Sequence, residues 1–176
     1  MGSSLAGAFW ELCLLKRRPQ DIPFSPFLFK VVVCGYFLRC TAINLVGFPF
    51  AEAILLGAVM TVLLLAVFEV LLLIRGYRKR MLQTVTAMMG TKLVLFPAAF
   101  ALRYWFHIIE QSGTRSDLAG YLWVLLFVWG LFIAAHILRH ALNARLIVGF
   151  FIAIAYVFLQ FRVMFIVHHE FAQWLV

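Results

Sequence analysis

Residues 50–74 read FAEAILLGAVMTVLLLAVFEVLLLI and run straight into RGYRKR at residues 75–80. The apolar run holds two carboxylates and no proline, and at the helical rise it is longer than the roughly 30 Å of hydrocarbon in a bilayer. A helix satisfies its own backbone donors and acceptors in lipid, whereas a β-barrel shows short alternating segments. The run therefore predicts a transmembrane helix, with the basic hexapeptide as its polar stop. The same alternation fills the rest of the chain. Of 176 residues, 65% are hydrophobic and the mean hydropathy is +1.02, more apolar surface than a soluble domain of this size can bury.

Working outward, a first span is expected over about 27–47, entered through Ser25 as cap and Pro26 at the first helical position. Gly47-Phe48-Pro49 separates it from the span at 50–74. A third apolar stretch covers 81–108 and contains Pro97; a fourth covers 118–138 and a fifth 146–167. The fold class is all-α, an integral membrane helical bundle with five transmembrane helices. A four-span alternative makes the first hairpin re-entrant, but both of its arms are long enough to cross. Residues 1–26 form an N-terminal segment and residues 168–176 a short tail.

Lys and Arg accumulate in cytoplasmic loops. Lys16, Arg17 and Arg18 precede the first span, and Lys30 lies just inside it. Arg75, Arg78, Lys79 and Arg80 lie between spans two and three, and Arg139 and Arg145 between four and five. These are ten of the fifteen basic residues. They predict a cytoplasmic N-terminus, a C-terminus outside, and a lipid-facing basic surface. The opposite side receives the charge-free turn at 47–49, a loop at 110–117 where two acids offset Arg115, and residues 168–176 without Lys or Arg. A net charge of +8 is thus explained by topology and contact with anionic lipid. Nucleic acid is excluded as a partner, because it needs a basic surface on a soluble module.

Ala6 to Leu15 is apolar, and its charges follow it, the reverse of a secretory signal. It reads as a short interfacial amphipathic helix with Phe9, Trp10 and Leu14 at the headgroup boundary. Cys13, Cys34 and Cys40 show neither a disulfide framework nor a metal spacing, and read as small buried apolar residues.

Ionisable side chains within hydrocarbon are functional candidates. Four stand out: Arg39, Glu52, Glu69 and Lys92. Folding the first two spans about Phe48 brings Glu69 near the level of Lys30, and Arg39 to within about a turn and a half of Glu52. Two pairs, Lys30–Glu69 and Arg39–Glu52, are expected to hold the hairpin in register. Lys92 lies about 16 Å from the basic end of its span, near the midplane. It needs a carboxylate, a group of carbonyls or a water-filled cavity. Glu69 is the nearest carboxylate by depth, and the flanking Gly90 and Pro97 can free carbonyls.

His136 and His140 share a helical face, but isoleucine occupies the place where a zinc-protease helix carries glutamate. Packing at the inner boundary is the reading preferred for that pair. At the outer side, His107 ends span three, and His168, His169 and Glu170 end span five. If those spans are neighbours, these residues suit a divalent transition metal or a quinone headgroup. Tyr104, Trp105, Trp123 and Trp174 belong to an outer aromatic belt, and Trp10 and Tyr77 to an inner one.

Every serine and both aspartates, Asp21 and Asp117, lie outside the spans, and no zincin or nucleotide-binding glycine motif occurs. No catalytic constellation is found, and no cofactor is named by the residues.

Arg80-Met-Leu-Gln-Thr-Val-Thr-Ala-Met-Met-Gly-Thr91, with His136-Ile-Leu-Arg-His-Ala-Leu142, resembles small inner-membrane proteins of proteobacteria that are similar in layout to the Yip-domain family. That resemblance covers about residues 27–167. It implies five spans, a cytosolic N-terminus and a bacterial inner-membrane location, and it transfers no catalytic residue. Eukaryotic Yip relatives bind small GTPases through a protein with a long cytosolic N-terminal region, which residues 1–26 do not match.

Three functional readings follow. The leading one is a non-enzymatic accessory or scaffold subunit of a larger membrane assembly, partnered by lipid, other membrane subunits or its own copies. The second is a small oligomeric transporter or channel with a polar path at Lys92 and Glu69. The third is a metal- or quinone-binding redox subunit using the outer histidines.

Overall fold

Helix boundaries follow local chemistry. The computed structural model describes residues 5–113 and 117–174, with side chains through residue 170. Within these, the chain is all-helical: α1 Leu5–Cys13, α2 Pro26–Leu45, α3 Phe50–Ile74, α4 Met81–Val94, α5 Phe96–Ser112, α6 Asp117–Ala141 and α7 Leu146–Trp174. Single 3₁₀ turns at Pro19–Asp21 and Arg78–Arg80 join α1 to α2 and α3 to α4. Ser25 Oγ accepts the Leu28 N–H at 3.2 Å, and Pro26 opens α2 where its missing N–H costs nothing.

Helices α2, α3, α6 and α7 are each long and apolar enough to cross a membrane, and α4 with α5 adds a fifth if the bent pair is one span. The architecture is compatible with a multi-pass membrane protein. Two boundaries differ from those expected. The stretch at 81–108 is not one straight helix: α4 and α5 meet at 51°, because Pro97 has no N–H for the carbonyl of Leu93 and its ring crowds that turn. Residues 168–170 also continue α7 rather than begin a separate tail. Arg115 and the Trp174 side chain lie outside the described residues.

Helix α4 is the centre of the bundle. Thr84 to Thr91 are buried without interruption, enclosed by α1, α2, α3 and α6. Three of these residues are threonines, which the core tolerates because each hydroxyl is satisfied within its own helix. Thr84 donates to the Arg80 carbonyl at 2.8 Å, Thr86 to Leu82 at 2.7 Å and Thr91 to Met88 at 3.0 Å. The more apolar helices surround this less apolar one, so hydrocarbon faces outward and hydroxyls inward.

Two pairs of helices run closely side by side, α2 with α3 and α6 with α7. At the second contact Gly149 of α7 lies against the backbone of α6: a Cβ there would stand 2.5 Å from the Ala135 carbonyl oxygen. Only glycine permits that approach, and it brings van der Waals contact along the whole crossing. Gly57 of α3 makes a second close approach, against Thr41 of α2.

The N-terminal segment is part of the bundle. Phe9, Leu12 and Cys13 are buried, with the Phe9 ring over Gly90 of α4, whereas Trp10 and Leu14 point outward. Phe9 therefore corrects the expected headgroup position: helix α1 offers its apolar side to α4, and the core outcompetes the interface for that ring.

Candidate functional site

The three basic regions meet at one end of the bundle, stitched together by the N-terminal segment. Gln20 Nε2 donates to the His140 carbonyl at 3.1 Å, and Gln83 Nε2 donates to the carbonyls of Ile22 at 2.9 Å and Gln20 at 3.3 Å. His136 Nε2 lies 2.8 Å from the Arg17 carbonyl. A carbonyl only accepts, so Nε2 carries the proton. His136 and His140 pack ring to ring at 4.7 Å, and Arg139 Nε donates to His140 Nε2 at 3.2 Å. Arg17 pairs with Glu11, and Arg80 lies over the Tyr77 ring at 4.9 Å. Lys16, Arg18, Arg75, Arg78, Lys79 and Arg145 are exposed around them.

The expected intramembrane pairs are replaced by others. Glu52 is buried, and it pairs with His168 Nδ1 at 2.6 Å instead of with Arg39. The Phe48 ring stands edge-on to the same imidazole, at 5.2 Å. This contact ties the end of α7 to the α2–α3 turn. Matching residues by depth predicts level but not direction around the helix axis, and α7 supplies a nearer partner. Lys30 is exposed and Glu69 half-buried, and they form no ion pair with each other. Arg39 turns inward, where its Nε donates to the Lys92 carbonyl at 3.0 Å.

The outer histidines do not assemble. His107 shares a hydrogen bond of 3.0 Å with Gln111 on its own helix, whereas His168 faces Glu52. Helix α5 packs against α6, whereas α7 packs against α6 and α3. Among the described residues no three His, Cys, Asp or Glu side chains are placed to hold a metal ion, so His107, His168, His169 and Glu170 do not form the expected centre.

What the structure does bring together surrounds Lys92. A cavity of about 310 Å³ opens between α2, α4, α6 and α7, on the side of the bundle away from the basic end. Its polar lining comprises Tyr36, Arg39, Asn44, Thr91, Lys92, Tyr156 and Gln160, and the rest is mainly apolar, including Met60, Leu131 and Met164. Lys92 sits in the last turn of α4, where the helix dipole favours a cation. Among the described residues its ammonium group has no hydrogen bond or ion pair. Arg39 lies over the Tyr36 ring at 5.7 Å. Tyr156, only 5% exposed, has its hydroxyl beside Tyr36 and Gln160 without a well-formed hydrogen bond to either, and Gln160 one turn later also reaches the Met60 sulfur at 4.0 Å. No carboxylate lines the space, and Glu69 is not part of its wall.

Sequence reasoning singled out Lys92 and Arg39 but passed over Tyr36, Tyr156 and Gln160. The signal was available: Tyr36 with Cys40, and Tyr156 with Gln160, stand at i and i+4 inside apolar spans, on one face each. Trp123 also departs from a purely interfacial role, since it lines the cavity and packs edge-on against Phe106 at 5.9 Å.

Fold and site together define an all-helical bundle, with four or five helices apolar enough to cross a membrane, around a cavity that holds two basic residues and no carboxylate. No family model, no curated protein and no solved structure matches this chain.

Proposed function

We propose that this is a five-span membrane protein with a cytoplasmic N-terminus whose bundle binds a small molecule at Lys92, acting as a binding or transport protein rather than an enzyme. The observation that carries this reading is the unpartnered Lys92 ammonium in a cavity without a carboxylate. An uncompensated cation in hydrocarbon is expensive, and such residues mark substrate or ion pathways. The convergence of Lys16 to Arg18, Arg75 to Arg80, Arg139 and Arg145 on one end supports the orientation. Counting α4 and α5 as one span makes the number odd, so the termini lie on opposite sides. Reporter fusions test this directly: a reporter active only in the cytoplasm is expected to work at the N-terminus and fail at the C-terminus. Equal activity at both ends would leave four spans.

Solute binding is tested in reconstituted vesicles, where Lys92→Met is expected to abolish uptake or retention of the solute. Unchanged flux would remove the binding role. The inner ends, closed over by α1 and α4, favour a one-sided site over an open channel.

The accessory-subunit reading has its own support in α6. Tyr121, Leu122, Trp123, Val124 and Leu125 are consecutive and all exposed, so this part of the helix presents apolar side chains in every direction. A helix contacting only lipid on one side and its own bundle on the other shows a single outward stripe. We take a second membrane chain, of the same or another sequence, as the cover. Native mass spectrometry from mild detergent is expected to show an oligomer or complex, and a lone monomer would remove this reading.

A further inference from the structure

The walls of the cavity are chemically one-sided. Lys92 and Arg39 contribute two positive charges, and no acid answers them. A guanidinium has five N–H donors. Arg39 gives one to the Lys92 carbonyl and directs another at the Cys40 sulfur, 3.8 Å away. The Tyr156 hydroxyl is buried beside Tyr36 and Gln160 but makes no well-formed hydrogen bond to either, which leaves it able to donate to a ligand. Gln160 beside it turns its amide N–H toward the Met60 sulfur, a weak acceptor. Both charged groups here are cations, and the hydroxyl and amides beside them can donate hydrogen bonds, so an oxyanion answers the charges and accepts from the neutral donors. The volume is at the small end of ligand sites, enough for a headgroup and the start of an apolar body. Trp123, Phe127 and Phe161 line the cavity and still keep 39%, 40% and 57% exposure, which gives the remainder of such a molecule an apolar path to the bilayer.

Resting on the binding role given above, we propose that the cavity takes an amphiphilic oxyanion, with its carboxylate or phosphate between Lys92 and Arg39, an acceptor atom on Tyr156, and its apolar body leaving along α6 and α7. The source is either a free amphiphilic acid or the phosphate of an anionic lipid.

The full chain in phosphatidylcholine nanodiscs is titrated with 12-bromododecanoate and, as the uncharged control, 12-bromododecanol, following bromine quenching of tryptophan. The quenching assigned to the site is the saturable part lost in Trp123→Phe. After correction for partitioning, the acid is expected to bind on the order of tenfold more tightly than the alcohol, and Lys92→Met to remove that preference. Tyr156→Phe is expected to weaken the acid by roughly threefold. Lys92→Met loses no protein contact, so its melting temperature should equal or exceed that of the wild type. Should it fail to fold, Lys92→Gln provides the same comparison. Displacement of the acid in discs containing phosphatidylglycerol assigns the oxyanion to a lipid phosphate; no displacement assigns it to a free acid, and both uphold the chemistry. Equal affinity for acid and alcohol overturns the oxyanion while leaving a binding site. Absence of saturable quenching by either probe overturns the binding role as well.

Discussion

Replacing Gly149 by alanine is the sharpest test of how the bundle is held together. The new Cβ would stand 2.5 Å from the Ala135 carbonyl oxygen and 3.2 Å from the Arg139 nitrogen, where ordinary contact begins at 3.4 Å. Helix α7 must therefore retreat from α6 by about 0.9 Å, the difference between 3.4 and 2.5 Å. A gap of that size forfeits roughly a quarter to a half of each dispersion contact it opens. Overpacking of this kind costs about 1–3 kcal/mol. The substitution also gains up to ~1 kcal/mol of helix propensity, so a control is needed that gains propensity alone. Gly120→Ala on α6 provides it, because nothing lies within 4 Å of its added Cβ. The two variants should differ by about 1–3 kcal/mol. In a chain of this length that corresponds to on the order of 5 °C, with Gly149→Ala the lower. Thermal melting in mild detergent, read as loss of the monodisperse species, measures it. Equal melting temperatures for the two variants would refute the backbone-to-backbone contact.

The N-terminal segment and the α7 latch give two further predictions. Burial pushes the Cys13 thiol up from 9.0 to about 11. In a Cys34→Ala/Cys40→Ala background, alkylation at pH 8 should therefore run about a hundredfold slower than for a free thiol, and Phe9→Ala should accelerate it. Unchanged labelling in the Phe9 variant would argue against α1 docking through that ring. Because the folded value lies above the unfolded one, the contribution of Cys13 to docking is intact below about pH 9 and is lost as pH rises toward 11. Protease accessibility of residues 1–26 across that window should increase, and a flat profile would count against the buried thiol. For Glu52 and His168, a double-mutant cycle with Glu52→Gln and His168→Ala should yield a coupling of about 1 kcal/mol, modest because the imidazole is half exposed. Additive effects would mean that the contact does not fasten α7 to the α2–α3 turn.

Local features were readable where the chemistry is local. Ser25-Pro26 starts α2, Gly47-Phe48-Pro49 turns the first hairpin, and Pro97 interrupts its stretch through a missing donor. The central place of α4 was not readable. Hydropathy measures fitness for lipid, and the helix least fit for lipid is the one other helices enclose, so its threonines look like weakness rather than position. The partner of Glu52 was missed because a depth argument joins neighbours in sequence, whereas His168 arrives from 116 residues away. Lys92 was readable as an anomaly. Its cavity was not, since that depends on Tyr156 and Gln160 facing Arg39 from another helix, a tertiary fact with no local signature.

The seat of α1 has a consequence for how the protein is made. Phe9 and Cys13 rest on α4, and the hydrogen bond from Gln20 reaches the His140 carbonyl, a separation of 120 residues. Helix α1 thus finds its complete seat only after α6 has been synthesised. Until then the apolar side of α1 is uncovered, and α4, threonine-bearing and short, lacks one of its walls. Closure of the bundle is accordingly delayed: the helices form in order, and α1 folds back onto α4 last. Nascent chains arrested before α6 should be held by insertion chaperones or degraded, and release should coincide with emergence of His136 and His140.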